Sequence, residues 1–188
     1  MINDIHFEHF PHLESERLIF RRFELKDAID IQLIRSNDAV MKYMDAKKHH
    51  TISDSEKFIR KNEKRYKNKT GLFWAIIEKS AHKFIGDFAF WNIKRENHRA
   101  EIGYTLKPEF WNNGYMTESL IRLIKFGFEA LNLHSFEAEI NPKNRNSEKA
   151  LLKVGFRKEA YFKENRYFNG VYLDSEIYSL LTEDFKYH

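Results

Sequence analysis

Residues 110–131 read FWNNGYMTESLIRLIKFGFEAL, and the rest of the chain is organised around them. Met116, Leu120, Leu123, Ile124, Gly127 and Leu131 form one stripe of a helix, with Glu118, Arg122 and Lys125 on the other side. The first turn is expected near Asn113 to Thr117. The opening N–H groups of a helix lack intrahelical acceptors and carry the positive end of its dipole, so a glycine just before them, Gly114, lets an anion reach the main chain. A phosphate or pyrophosphate is the guest such a turn would take. A glycine turn before an ordinary core helix is written in the same letters, so the neighbouring segments must decide.

Immediately upstream, RAEIGYTL (99–106) alternates as a strand should, with Ala100, Ile102, Tyr104 and Leu106 on one face and Glu101, Gly103 and Thr105 on the other. A carboxylate beside a position without a side chain suits a cleft wall; a solvent-facing glutamate on a half-buried sheet has the same pattern. Pro108 ends this strand. Downstream, SFEAEI (135–140) is a short strand, so strand, helix and strand make a βαβ unit with a phosphate-ready turn at its first crossover.

Farther out, LFWAIIE and FIGDFAFWNI precede RAEIGYTL as an antiparallel meander. RLIFRRF is a first strand, followed from Leu25 by a helix with Ala28, Ile31, Leu33 and Ile34 inward. Ser53 and Glu56 read as a capping box before a helix that turns Phe58, Ile59 and Tyr66 inward. On the C-terminal side, Pro142 to Asn146 is a loop and Ser147 to Val154 a short helix, with Leu151 and Leu152 inward, that Gly155 terminates. Two final strands meet at Asn169-Gly170, a strong hairpin signal. The expected fold class is α/β, of the mixed α+β kind: a mixed, mostly antiparallel twisted sheet with helices on both faces. Residues 1–188 are expected to form one domain, with 1–12 as a lead-in segment on which His6, His9 and His12 are exposed.

Composition narrows the function. A net charge of +4 favours polyanions without choosing among nucleotide, nucleic acid and ribosome surface. The basic helix face has only Phe58 and Tyr66 as aromatic interleaving, and a charge-rich surface helix normally just meets water, which argues against nucleic acid. The absence of cysteine excludes disulfides, thiolate metal sites and a cysteine nucleophile. His6, His9 and His12 fall at metal-comb spacing, but Pro11 and the lack of a carboxylate cluster argue against a metal. With no membrane-length apolar run and no signal-like N-terminus, a soluble cytoplasmic protein is expected.

Three segments together, AEIGYTLKPEFWNNGYMTESL, NPKNRNS and ALLKVGF, resemble the GNAT N-acetyltransferases, and within them the Rim-type branch that acetylates ribosomal-protein N-termini and other amines. The resemblance runs from Leu13 to Leu181. The family's pyrophosphate loop, Gln/Arg-x-x-Gly-x-Gly/Ala, falls on Trp111 to Met116, with Trp111 replacing the polar opener and Met116 the small closing residue. The loop acts through backbone N–H groups, so neither change removes its chemistry. The resemblance implies acetyl-CoA as co-substrate and no metal. Its pyrophosphate would lie on Asn112, Asn113, Gly114, Tyr115, Met116 and Thr117, and its pantetheine arm along Thr105 and Leu106, where a splayed strand leaves backbone groups unpaired.

The same resemblance implies the roles of side chains. Glu101 is the expected base that takes a proton from the attacking amine, directly or through water, with Glu164 of the final hairpin as second candidate. The Thr105 N–H would bind the oxyanion. Many relatives place a tyrosine where this chain has Leu151; in the Rim-type branch a serine takes over, here Ser147, with Asn144 bonded to the pantetheine arm. Ser147 reads equally as the N-cap of its helix. Trp74, Phe90, Trp91 and Trp111 are candidates for the acceptor entrance. The expected partner is an amine, on a peptide N-terminus or a small molecule, and a homodimer is compatible with the family. A CoA-binding sensor without turnover is the rival reading, suggested by Met116 and the missing tyrosine.

Overall fold

The structure, a computed structural model, describes residues 1–187. In chain order it contains α1 (Ile5–Glu8), β1 (Leu13–Glu14), β2 (Leu18–Arg22), α2 (Ala28–Ser36), α3 (Asp38–Met41), α4 (Ile52–Lys67), β3 (Leu72–Glu78), β4 (Lys83–Lys94), β5 (Arg99–Leu106), α5 (Tyr115–Glu129), β6 (Ser135–Ile140), α6 (Arg145–Val154), β7 (Arg157–Phe168) and β8 (Val171–Leu181). The strands join in one eight-stranded sheet ordered β1-β2-β3-β4-β5-β6-β8-β7, and β5 beside β6 is its parallel pair. The mixed, mostly antiparallel sheet expected from the sequence is therefore present.

Each face of the sheet has its own core. On one, α5 and α6 set Leu120, Leu123, Ile124 and Leu151 against Trp74, Phe88, Phe90 and Phe136. On the other, Ile31 and Ile34 of α2 and Ile59 of α4 cover Ala75 and Ile77. Gly127 brings α5 unusually close to the sheet, since a Cβ there would lie 2.2 Å from Cζ of Phe136. Asn169 and Gly170 both adopt left-handed backbone, at φ 48° and 84°, which the tight β7–β8 hairpin requires.

Several local expectations shift. The capping box of α4 is Thr51 with Asp54, because Thr51 is the last extended residue and Ser53 already lies inside the helix. Leu33 is 54% exposed, since the buried positions of α2 step by three through Ala28, Ile31 and Ile34 and leave it on the outer side. Leu152 is exposed as well. Residues 1–12 do not lie in water throughout: Ile2 and Phe7 are buried and the Asn3 N–H donates to the Leu131 carbonyl at 3.1 Å. His6 packs edge-on against Phe126 at 4.8 Å, while His9 and His12 are exposed.

The feature that positions the site is where β5 and β6 part. Their parallel register covers Arg99↔Ser135, Ala100↔Phe136 and Glu101↔Glu137. Beyond these pairs β5 follows β4 as far as Leu106↔Gly86, and β6 follows β8 as far as Ile140↔Glu176. A sheet that divides between two bonded neighbours leaves main-chain donors and acceptors facing the gap.

Candidate active site

A cleft of about 600 Å³ opens at this division. Tyr104, Thr105 and Leu106 of β5 form one wall, Trp111 to Thr117 without Asn113 another, and Asn144, Ser147, Lys149 and Lys153 of the α6 region a third. Lys42, Tyr43 and Met44, from the turn after α3, reach its far end. It therefore gathers Thr105, Leu106, Asn112, Gly114, Tyr115, Met116, Thr117, Asn144 and Ser147 of the candidate residues, and leaves Asn113 and Glu101 outside its lining.

The N-terminus of α5 leaves its main-chain donors open. Gly114 is the N-cap residue at φ 80°, a left-handed conformation that glycine adopts without steric cost, and no side chain caps the helix. Helix proper begins at Tyr115, so the N–H groups of Tyr115, Met116 and Thr117 fall among the opening donors that have no intrahelical acceptor. Asn112 is also left-handed, at φ 60°. The turn is fastened from outside: Arg17 donates to the Asn113 carbonyl at 3.0 Å, lies 4.3 Å over the Tyr115 ring and bonds Glu118 at 2.7 Å. Glu118 also accepts from the Ser15 hydroxyl and the Arg17 N–H, so this residue, read onto the helix side away from the core stripe, is a bolt between the β1–β2 turn and α5. The indole N–H of Trp111 donates to the Leu106 carbonyl at 2.9 Å and pins the loop to β5.

Thr105 turns away from the cleft more than expected. Its hydroxyl donates to the buried Asp87 at 2.7 Å on the opposite sheet face. The Lys107 N–H bonds the Ile85 carbonyl at 2.8 Å, and a Cβ on Gly86 would lie 2.1 Å from the Thr105 carbonyl. In an antiparallel ladder alternate residues direct both main-chain groups to the same neighbour, so Thr105 faces β4, and the N–H groups of Tyr104 and Leu106 face the gap. The Thr105 N–H, expected to bind the oxyanion, therefore faces β4 and not the gap.

Helix α6 starts at Arg145, earlier than expected, because Asn144 is its N-cap and accepts from the Ser147 N–H at 3.2 Å. This frees the Ser147 hydroxyl from capping. It lies 2.7 Å from the Tyr104 phenol oxygen, a contact between β5 and α6 across the cleft wall. Tyr104 shares the alternation of the core positions Ala100 and Ile102, so sequence reading put it among them. Nothing in the pattern marks where along a strand the covering helix gives way to a gap.

Glu101 sits where the parallel register ends, opposite Glu137 and Trp91. It is 8% exposed and accepts a bond from the Asn92 amide at 3.3 Å. Burial pushes its carboxyl up to about 7, the Asn92 bond opposes the rise, and Glu137 and Glu139 reinforce it. Asn92 occupies an irregular stretch of β4, left-handed at φ 47°, that the sequence did not announce. Arg166 of β7 bridges Asp45 at 3.1 Å and Glu139 at 3.3 Å, tying the final hairpin to the turn after α3.

Of the four aromatics expected at the entrance, Trp111 lines the cleft; Trp74 and Phe90 are wholly buried and Trp91 packs beside Gly103. Glu164 is exposed on a bulge whose N–H donates to Asp174. Among the described residues no three histidines or carboxylates are grouped to hold a metal ion, and no helix is long and apolar enough to cross a membrane.

A family described as "Acetyltransferase (GNAT) domain" matches residues 17–157. The chain is 34% identical over 172 residues to a protein of Bacillus subtilis (strain 168) named "Uncharacterized N-acetyltransferase YoaA", covering 92% of this chain and 97% of that one. Its fold superposes at TM-score 0.81 on the ribosomal-protein-S5-alanine acetyltransferase of Vibrio fischeri, with 27% identity over 94% of this chain and 99% of that one. It superposes at TM-score 0.78 on the microcin C7 self-immunity acetyltransferase MccE, solved with acetyl-CoA and AMP, with 26% identity over 89% and 93% of the two chains.

Proposed function

Because the chain belongs to the GNAT acetyltransferases, whose activity is transfer of an acetyl group from acetyl-CoA to an amine, we propose a specific division of labour among its residues. The observation that carries it is the uncapped start of α5 opening on the cleft where β5 and β6 separate. The N–H groups of Tyr115 to Thr117, with Asn112 and Gly114 beside them, hold the pyrophosphate of acetyl-CoA. The unpaired edge of β5 at Tyr104 and Leu106 receives the amides of the pantetheine arm, and the amide of Asn144 adds a further bond. This arrangement presents a thioester between the two strands.

Alkyl amines are mostly protonated at neutral pH and attack only as the free base. Glu101 takes the proton; a carboxyl titrating near 7 is both substantially ionised at neutral pH and basic enough for the task. Since Glu101 lies outside the cleft lining, a water carries the proton to it. A cleft-facing N–H of Tyr104 or Leu106 holds the oxyanion, and the Ser147 hydroxyl hydrogen-bonds the departing sulfur. A hydroxyl is a poor acid, so it orients and solvates the sulfur and keeps its own proton.

The acceptor is a primary amine presented past Tyr43 and Met44. A peptide N-terminus is the leading class, supported by the likeness to the ribosomal-protein-S5-alanine acetyltransferase, with small amines beside it. This reading places the protein in the cytoplasm. The test is incubation with acetyl-CoA and a panel of N-terminal peptides, polyamines and aminoglycosides, following free thiol and acceptor mass. Thiol release matched by a 42-dalton gain (roughly one acetyl group) on a peptide supports the reading. CoA binding without thiol release above the hydrolysis blank would replace it by a sensor.

A further inference from the structure

Tyr104 is the one residue of β5 whose side chain reaches α6 by a hydrogen bond, and it does so at the hydroxyl assigned to the sulfur. We propose that Tyr104 is a positioning residue that fixes the Ser147 O–H on the thioester sulfur. The inference rests on the role given to Ser147 above.

The oxygens of the two hydroxyls stand 2.7 Å apart and can share only one hydrogen in that bond. A phenol is far more acidic than an aliphatic hydroxyl, so the better donor is Tyr104 and the better acceptor Ser147. With Tyr104 donating, the Ser147 hydrogen is left over and turns toward the cleft, which both residues line. Burial pushes the phenol up to about 12, so Tyr104 remains an O–H donor throughout the working pH range.

Both ends of the contact are held. The Tyr104 ring stacks on Phe88 with centroids 5.8 Å apart and planes 21° apart. The Ser147 backbone is held by Asn144. Without the phenol the serine hydroxyl would rotate among its staggered wells, and its hydrogen would point at sulfur only part of the time.

In the reaction the amine lone pair forms the C–N bond at the acetyl carbon and the carbonyl pair moves onto oxygen. As the C=O re-forms, the C–S bond breaks and its pair goes to sulfur. The thiolate is held by the Ser147 O–H until it takes up a proton, equal in number to the one the nitrogen has released. Ser147 and Tyr104 end with the protons they began with.

The test compares Tyr104→Phe, Ser147→Ala and the double variant at saturating acetyl-CoA and peptide. Phenylalanine keeps the ring on Phe88 and removes only the oxygen, and thermal melting checks that each variant is folded. Each single variant is expected to lose about tenfold in kcat, with the acetyl-CoA KM within about twofold, and the double variant to lose no more than Ser147→Ala alone. Wild-type kcat in Tyr104→Phe, or losses that multiply in the double variant, would overturn the inference and leave Ser147 in place. Full activity in Ser147→Ala would remove the serine role itself, and a wild-type protein that releases no thiol would overturn the enzyme reading on which both stand.

Discussion

The two ends of the cleft are made of different materials. At the α5 end main-chain N–H donors on a left-handed glycine turn face the cleft; Arg17 and Glu118 hold the turn in shape from behind and Trp111, itself on the cleft wall, pins it to β5. At the far end Tyr43 and Met44 line the cleft, and beyond its lining lie side chains from segments far apart in sequence: Asn92 on β4, Glu101 on β5, Glu139 on β6 and Arg166 on β7. A backbone surface tolerates changes of side chain, so Trp111 and Met116 leave the donors of the turn unchanged. A side-chain site has no such tolerance; burial pushes Glu101 there up to about 7, whereas Glu118 behind the α5 turn is held below its ordinary value.

That contrast can be broken by experiment. The largest expected effect is at the side-chain end: Glu101→Gln should lower kcat by roughly a hundredfold or more while acetyl-CoA affinity hardly moves. The wild type should gain kcat/KM as pH rises through about 7, because the base must be ionised, and the variant should lack that rise. An unchanged pH–rate profile would take the base role away from Glu101.

The next is at the backbone end. Gly114→Val places a branched side chain at φ 80° and should weaken coenzyme A binding by roughly 10- to 100-fold, through strain of about 1–3 kcal/mol and crowding of the anion. Titration calorimetry reads this directly; wild-type affinity would contradict the loop assignment.

Smaller effects sharpen the boundary between the ends. Arg166→Ala removes the bridge from Asp45 to Glu139 and should raise the acceptor KM by about two- to fivefold, in keeping with exposed ion pairs, with acetyl-CoA KM unchanged. A change in both KM values would mean that the two ends are not separate. Glu118→Gln should lower Tm by roughly 2–6 °C at pH 7. Burial alone would raise this carboxyl, but the Arg17 N–H, the Ser15 hydroxyl and the Arg17 guanidinium outweigh it and hold it below its ordinary value. Its contribution is thus present above the unfolded carboxylate range and lost as pH falls through the depressed folded value, so the difference in Tm should close in acid.

The order of strands and helices was legible because each segment carries its own period: two in Arg99 to Leu106, three and four in Met116 to Leu131, and a turn signal at Asn169-Gly170. The glycine turn before α5 was legible for the same reason, since Gly114 and the helix behind it are contiguous. Tyr104 was read onto the correct face, where it packs against the core, but its contact with Ser147 was missed because alternation reports which face a residue points to and not what covers that face. The capping box was read two residues late because Thr51-x-x-Asp54 and Ser53-x-x-Glu56 offer the same chemistry, and only the backbone shows which opens the helix.

The chain alone determined what local chemistry can express: the sheet and helix segments, the absence of thiol chemistry, and a helix start ready for a phosphate. Only the tertiary structure decided that β5 leaves β6 after Glu101, that Thr105 faces β4 while Tyr104 and Leu106 face the gap, and that a tyrosine on β5 meets a serine on α6. These depend on strand register and on contacts between residues 43 positions apart, as for Tyr104 and Ser147, and no periodicity within a segment encodes them.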